Sequence, residues 1–198
     1  MIELKRIEKN YRRGAEEVRA LRGIDLCIDK EDLLAITGPS GAGKTTLLHI
    51  LGCLDQPTSG EVLIDGIDST RLPEAELVKL RRDKIGFVFQ QFYLIRGLSV
   101  FDNIALPLLF SKKPATPEKV TRLAEMVGLE HRLNHVPSQL SGGEMQRTAI
   151  ARGLINDPEI LLADEPTGNL DSENSDKIFD ILHSLSNNGL TVIMITHN

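Results

Sequence analysis

Residues 38–46 read Gly-Pro-Ser-Gly-Ala-Gly-Lys-Thr-Thr and fit the spacing G-x-x-x-x-G-K-[ST]. Glycines so spaced let successive backbone N–H groups turn inward around phosphate oxygens, and a following helix adds the positive end of its dipole. Gly38, Ser40, Gly41 and Gly43 would form this cradle. Lys44 would reach the β- and γ-phosphates, the Thr45 hydroxyl would ligate Mg²⁺, and Thr46 would donate to the α-phosphate. The blander reading is a Gly-rich turn capped by Thr; the apolar strand before it and the helix after it speak against that. Downstream, Ile160-Leu-Leu-Ala-Asp164-Glu165 is an apolar run ending in two acids. Asp164 at the strand tip would hold the hydration shell of Mg²⁺, and Glu165 would take a proton from an attacking water. Alone that pattern is weak, since many buried strands end in an acid. Leu140 to Arg147, LSGGEMQR, begins a helix with Ser141 and Glu144 at capping-box spacing. It is either a well-made helix start or a second anion site built of a hydroxyl, Gly-exposed N–H groups and a helix dipole.

The elements that must position these groups follow from periodicity. Ile2, Leu4 and Ile7 alternate with charges, as do residues 21–28, which predicts an antiparallel ribbon with one wet face. Leu33–Ile36 is a buried strand feeding the Gly-rich turn, and Lys44 to Leu54 carries helical spacing. Glu61–Asp65, Ile85–Phe89, Ile160–Ala163 and Thr191–Ile195 read as further strands, and Ile178, Ile181, Leu182 and Leu185 mark one helix face. Between them, residues 91–155 are helical in pattern, broken by Pro107, Pro114, Pro117 and Pro137. The expectation is one α/β domain over residues 1–198, with its core in 1–90 and 156–198 and a helical subdomain inserted at 91–155. The sequence stops at His197-Asn198, directly after a strand. That predicts a domain truncated at its C-terminus whose last strand presents an exposed edge.

Composition narrows the class. Acids outnumber bases, 28 to 23, which argues against a dedicated nucleic-acid binder. No apolar run approaches a bilayer span, and the N-terminus lacks a signal-peptide core. Aromatics at 4% with no Trp argue against a sugar-stacking or base-stacking platform. Cys27 and Cys53 form neither a metal pair nor a disulfide framework, so both read as inert thiols.

Taken together, LSGGEMQR and the motifs around it resemble the ATP-binding cassette (ABC) family, and the resemblance covers the whole chain. Residues Gly38 to Thr45 match its phosphate loop, Gln90 its Q-loop glutamine, Asp164 and Glu165 its Walker B pair, and Asn169-Leu170-Asp171 its D-loop. His197 matches the switch histidine, and Tyr11 the aromatic that stacks on adenine. The resemblance implies a P-loop NTPase fold with a RecA-like parallel-sheet core, an N-terminal antiparallel region and an inserted helical subdomain. It implies ATP and Mg²⁺ as ligands. Gln90 would contact Mg²⁺ or the attacking water, and His197 the γ-phosphate. Ser141 and Gly143 would bind the γ-phosphate of ATP held by a second protomer, and Asp171 would organise the dimer interface. Read singly, Tyr11 is an ordinary surface aromatic, and Gln90 and His197 are ordinary satisfied polar residues. The signature carries Glu144-Met145 where Gln-Gln is frequent. Residues 52–60, 86–90 and 166–171 resemble the lipoprotein-releasing and macrolide-exporting group. The implied protein is a homodimeric ATPase motor subunit with integral membrane permease partners and no span of its own. It would be cytoplasmic and peripheral on the inner face of the cell membrane. Chromosome-maintenance relatives insert long coiled coils between phosphate loop and signature, translation-factor relatives carry two cassettes, and a passive binder would not need Glu165 and His197. None of the three fits as well.

Overall fold

The computed structural model describes residues 1–14, 16–111, 114 and 116–196. Strands β1 (Ile2–Arg13) and β2 (Glu16–Ile28) form the predicted antiparallel ribbon. Strands β3 (Leu33–Ile36), β4 (Ser59–Ile64) and β5 (Ile67–Asp68) follow, with helix α1 (Lys44–Leu51) between β3 and β4. Helix α2 (Glu74–Lys84) leads into β6 (Ile85–Phe89). Helices α3 (Val100–Ser111), α4 (Pro117–Met126) and α5 (Gly142–Leu154) come next, then β7 (Ile160–Asp164), α6 (Ser172–Asn187) and β8 (Thr191–Ile195). The strands divide into an antiparallel sheet ordered β2-β1-β4-β5 and a parallel sheet ordered β3-β8-β7-β6.

Both faces of the parallel sheet are buried, which explains the nearly continuous apolar runs of β7 and β8. On one face Leu161, Ala163, Val192 and Met194 pack with α3, α4, α5 and α6. On the other, Ile160, Leu162, Ile193 and Ile195 pack with α1 and the antiparallel sheet. Successive side chains therefore enter opposite cores, as the two-residue repeat of a strand requires.

Three sequence expectations are corrected, and one helix was not anticipated. The last strand is no exposed edge: β8 hydrogen-bonds β3 on one side and β7 on the other, and all five of its residues are buried. Crossover connections let a late strand enter the middle of a parallel sheet, so position in sequence does not fix position in the sheet. Helix α1 ends at Leu51, not Leu54, because Gly52 and Cys53 close it through backbone bonds to Leu48 and Ile50. Pro107 does not break α3 but lies inside it, where Ile104 and Leu108 anchor both flanks in the core. Helix α2 had no periodic signature, since Leu77 alone of its residues is buried.

Candidate functional site

Parallel pairing sets Ile36 beside Ile195, Ile195 beside Asp164, and Asp164 beside Phe89. One row thus crosses the C-terminal ends of all four parallel strands, the edge at which open α/β sheets bind ligands. Just beyond it stand the Gly-rich loop, Glu165, Gln90 and Thr196. Thr45 and Asp164, 119 positions apart in the chain, meet there because the register admits no slip without turning each strand's core residues over.

The loop is shaped for an anion. Gly43 is left-handed (φ 87°), and a Cβ there would lie 2.4 Å from the Ala20 carbonyl oxygen, so the position tolerates no side chain. Lys44 folds back, its Nζ donating to the carbonyls of Gly38 at 2.7 Å and Pro39 at 3.0 Å. Its ammonium is already held inside the loop and can exchange those carbonyls for phosphate oxygens. The Thr45 hydroxyl donates to Asp164 Oδ1 at 3.4 Å. Burial raises the Asp164 pKa, with the adjacent Glu165 charge acting in the same direction, while His49, Thr45 and Lys44 oppose it. A carboxylate penalised in this way gains from a cation. Two hard oxygens at the edge of a phosphate loop suit Mg²⁺, which takes few protein ligands and completes its shell with phosphate and water.

Glu165 has a left-handed backbone (φ 45°), and its N–H donates to Ile195 O at 3.0 Å. The turn it starts is closed by the Gly168 N–H on Glu165 O at 3.0 Å. Asn169 Nδ2 donates to the Gln90 carbonyl at 2.9 Å, tying the segment after β7 to the residue after β6. Tyr11 comes close to the start of α1, where its hydroxyl donates to Asp55 Oδ2 at 2.8 Å. Thr196 donates its N–H to Ile36 O at 3.2 Å, while His197 lies outside the described residues.

Ser141 and Gly143 stand apart from this row, at the start of α5. The capping box is formed: Ser141 Oγ accepts from Glu144 N–H at 3.3 Å, and Glu144 Oε2 accepts from Ser141 N–H at 2.8 Å. Gly142 and Gly143 are the first two residues of α5, so their N–H groups lie in its first turn, at the positive end of the helix dipole, without intrahelical partners. The Ser141 N–H, with Arg132 (Nε to Oε1, 2.9 Å) beside it, holds Glu144 below the usual carboxylate range. Gly143 is buried, and a Cβ on it would run into Asn174, which Asp171 holds in place. Asp171 caps α6 by accepting from Asn174 N–H at 2.8 Å.

Sequence reasoning passed over Asn103 and Arg152. Asn103, fully buried, accepts from Ile95 N–H and donates to the carbonyls of Ile95, Leu98 and Ser99, fixing the loop that follows Gln90. Its signal was a polar residue on the apolar face shared by Val100, Ile104 and Leu108. Arg152 donates to the carbonyls of Phe92 and Tyr93, at 2.8 and 2.6 Å, and nothing in its sequence neighbourhood announces that role.

Comparison with known proteins agrees with this geometry. The family described as ABC transporter matches residues 21–168. The ABC transporter ATP-binding protein MJ0796 of Methanocaldococcus jannaschii is 49% identical over all of this chain and 87% of its own length. The lipoprotein-releasing system ATP-binding protein LolD of Syntrophus aciditrophicus is 49% identical over all of this chain and 90% of its own. The macrolide export ATP-binding/permease protein MacB of Bdellovibrio bacteriovorus is 48% identical, and this chain spans 30% of it. A dimeric structure of MJ0796 in a post-hydrolysis state, bound to ADP and Pi, superposes with a TM-score of 0.91 at 47% identity, covering all of this chain and 88% of that one. With a P-loop α/β core, the phosphate loop, paired acids and signature each in place, the chain belongs to the ABC transporter family as an ATP-binding, ATP-hydrolysing cassette.

Proposed function

We propose that two copies of this chain close head to tail around two ATP molecules and that hydrolysis drives a membrane-embedded permease. The observation that carries this reading is the strand-end row, which gathers the phosphate loop, Glu165 and Gln90 but leaves Ser141 and Gly143 on a separate helix. In this reading Gly38, Ser40, Gly41 and Gly43 shape the cradle, Lys44 neutralises the β- and γ-phosphates, Thr46 donates to the α-phosphate and Tyr11 stacks on adenine. Thr45, Asp164 and Gln90 would hold Mg²⁺, which would screen the charge of the triphosphate. Glu165 takes the proton of the attacking water, Gln90 orients that water, and His197 donates to the γ-phosphate. Ser141 and Gly143 of the second copy close over the same phosphate, and Asp171 organises the interface.

Residues 91–155 act as a helical subdomain that carries the signature, with Asn103 and Arg152 linking it to the Gln90 loop. A groove of about 520 Å³ runs between this subdomain and β6, lined by Val78, Phe87, Phe89, Tyr93, Pro107 and Phe110. Its apolar wall includes Phe87 and Phe89 of β6, the strand that Gln90 directly follows, so a cytoplasmic helix of the permease seated there would sense the ATP site directly. MacB relatives are named as joined ATP-binding and permease proteins. Among the described residues no helix is long and apolar enough to cross a membrane, so contact with the inner face would come through the permease.

The test uses two variants. Lys44→Ala removes the phosphate-loop charge; Ser141→Asp keeps the helix cap, because Asp caps as well as Ser, but sets a carboxylate against the γ-phosphate. Each alone should have almost no ATPase activity. Mixed, one heterodimer site carries both defects and the other none, so activity should return and saturate with partner concentration. No recovery from variants that still dimerise would rule out the composite site.

A further inference from the structure

Beside the phosphate loop, Tyr11 is held by two charged residues that the nucleotide site does not otherwise use. Its hydroxyl donates to Asp55 Oδ2 at 2.8 Å. Lys9 Nζ donates to Asp55 Oδ1 at 2.7 Å and to the Gln56 carbonyl at 2.6 Å. The same ammonium stands 4.9 Å from the centroid of the Tyr11 ring. Lys9 and Tyr11 are two apart on β1 and so share a face. The ring is therefore fixed at its polar tip by a carboxylate and at its face by a cation. Neither partner is a loose surface charge: the side chain of Lys9 is 13% exposed and that of Asp55 30%.

Asp55 comes from the turn that closes α1, whose N-terminus carries Lys44, Thr45 and Thr46. Further bonds lace that turn to β1, from Asn10 N–H to Thr58 Oγ1 at 2.9 Å and from Thr58 N–H to Glu8 O at 2.8 Å. One short helix thus holds phosphate-binding groups at its start and the anchor of the tyrosine just past its end. Burial raises the Tyr11 pKa, so the phenol remains a hydrogen-bond donor. Burial opposes the charge on Asp55 too, but the bonds from Lys9 and Tyr11 outweigh it and keep the carboxylate ionised. An aromatic ring on an otherwise open strand would turn about its side-chain bonds, and stacking would have to immobilise it first.

We propose that Lys9 and Asp55 are positioning residues that preset the plane of the Tyr11 ring, so that affinity for the nucleobase, and not for the phosphates, depends on their ion pair. The inference rests on the reading of Tyr11 as the base-stacking residue.

The experiment measures dissociation constants for Mg-ATP and for Mg-tripolyphosphate, which has no base, by titration calorimetry on the whole chain. The variants are Tyr11→Ala, Lys9→Met, which keeps the stem and removes the cation, and Asp55→Asn, which keeps the shape and removes the charge. Tyr11→Ala should weaken ATP about tenfold or more, the size of a lost base–aromatic stack, with tripolyphosphate unchanged. Lys9→Met and Asp55→Asn should each weaken ATP roughly three- to tenfold, again with tripolyphosphate unchanged. Adding Lys9→Met to Tyr11→Ala should cost nothing more, because the clamp has no ring to hold. If Tyr11→Ala weakens ATP but Lys9→Met and Asp55→Asn do not, the clamp is wrong and stacking stands. Unchanged ATP affinity in Tyr11→Ala would overturn the stacking reading itself. Equal losses for ATP and tripolyphosphate in the Lys9 and Asp55 variants would mean a disturbed phosphate loop and would also overturn the proposal.

Discussion

Glu165 occupies the position immediately after Asp164 in the strand-end row, with its N–H committed to Ile195 O. That bond and the left-handed turn at Glu165 fix the backbone, so a neutral isostere should keep the shape of the site. Glu165→Gln is expected to bind ATP as the wild type does, while phosphate release falls at least about a hundredfold, the usual scale of a lost general base. Nucleotide titration and a phosphate-release assay on the same preparation check both halves of the statement. At this scale Lys44, Thr45, Asp164 and Ser141 could be picked out as candidates, because each sits in a short run whose residue types and spacing suggest a chemistry. Lys9 and Asp55 were not. Their partnership joins residues 46 apart and exists only because the turn after α1 returns to β1.

Helices were read unevenly for a related reason. The start of α5 was visible as Ser141 and Glu144 at fixed spacing, and both bonds of the box form. Helix α2 was invisible because its charged faces meet water and only Leu77 is buried, leaving no periodic stripe to find. In α3 the informative residue is the misfit, Asn103, whose amide fastens the loop carrying the chain from Gln90 into the helical segment. Asn103→Leu should strand those backbone groups in the interior and cost about 2–4 kcal/mol of stability, read as a lower urea midpoint. A mere surface polar residue would move that midpoint by a few tenths of a kcal/mol at most.

Across the whole molecule, the face opposite the nucleotide edge is tied by charge. Asp65, just after β4, pairs with Lys84 and with Lys30 (3.3 Å), and both lysines reach Glu159 before β7, at 3.2 and 3.5 Å. The antiparallel sheet is thereby fastened to the starts of β6 and β7. Lys84, more than any other neighbour, holds the Asp65 carboxyl well below the usual carboxylate range. A depressed folded-state pKa stabilises above the unfolded value, about 4, and that contribution is lost as pH falls toward the folded one. Asp65→Asn should therefore be less stable than wild type at pH 7. The gap in urea midpoint should narrow progressively below about pH 4, and added salt at neutral pH should narrow it too. A gap independent of pH would assign the loss to packing. The two-sheet architecture was legible, since alternation marks the wet ribbon and continuous apolar runs mark the buried strands. The order of strands was not, because periodicity reports which faces are covered and says nothing about which strand lies alongside which.

That order has a consequence for how the protein comes into being. Strand β8 is made after β3 and β7, yet it lies between them. On a ribosome delivering residues in order, the phosphate loop at the end of β3 and the paired acids at the end of β7 emerge as two halves with a gap one strand wide. Until residues 191–195 arrive, Thr45 has no fixed carboxylate opposite it and both halves expose strand edges that invite wrong pairing. A chain halted short of β8 is therefore expected to lack the completed strand-end row and to bind nucleotide poorly, which titration of such a shortened chain would read.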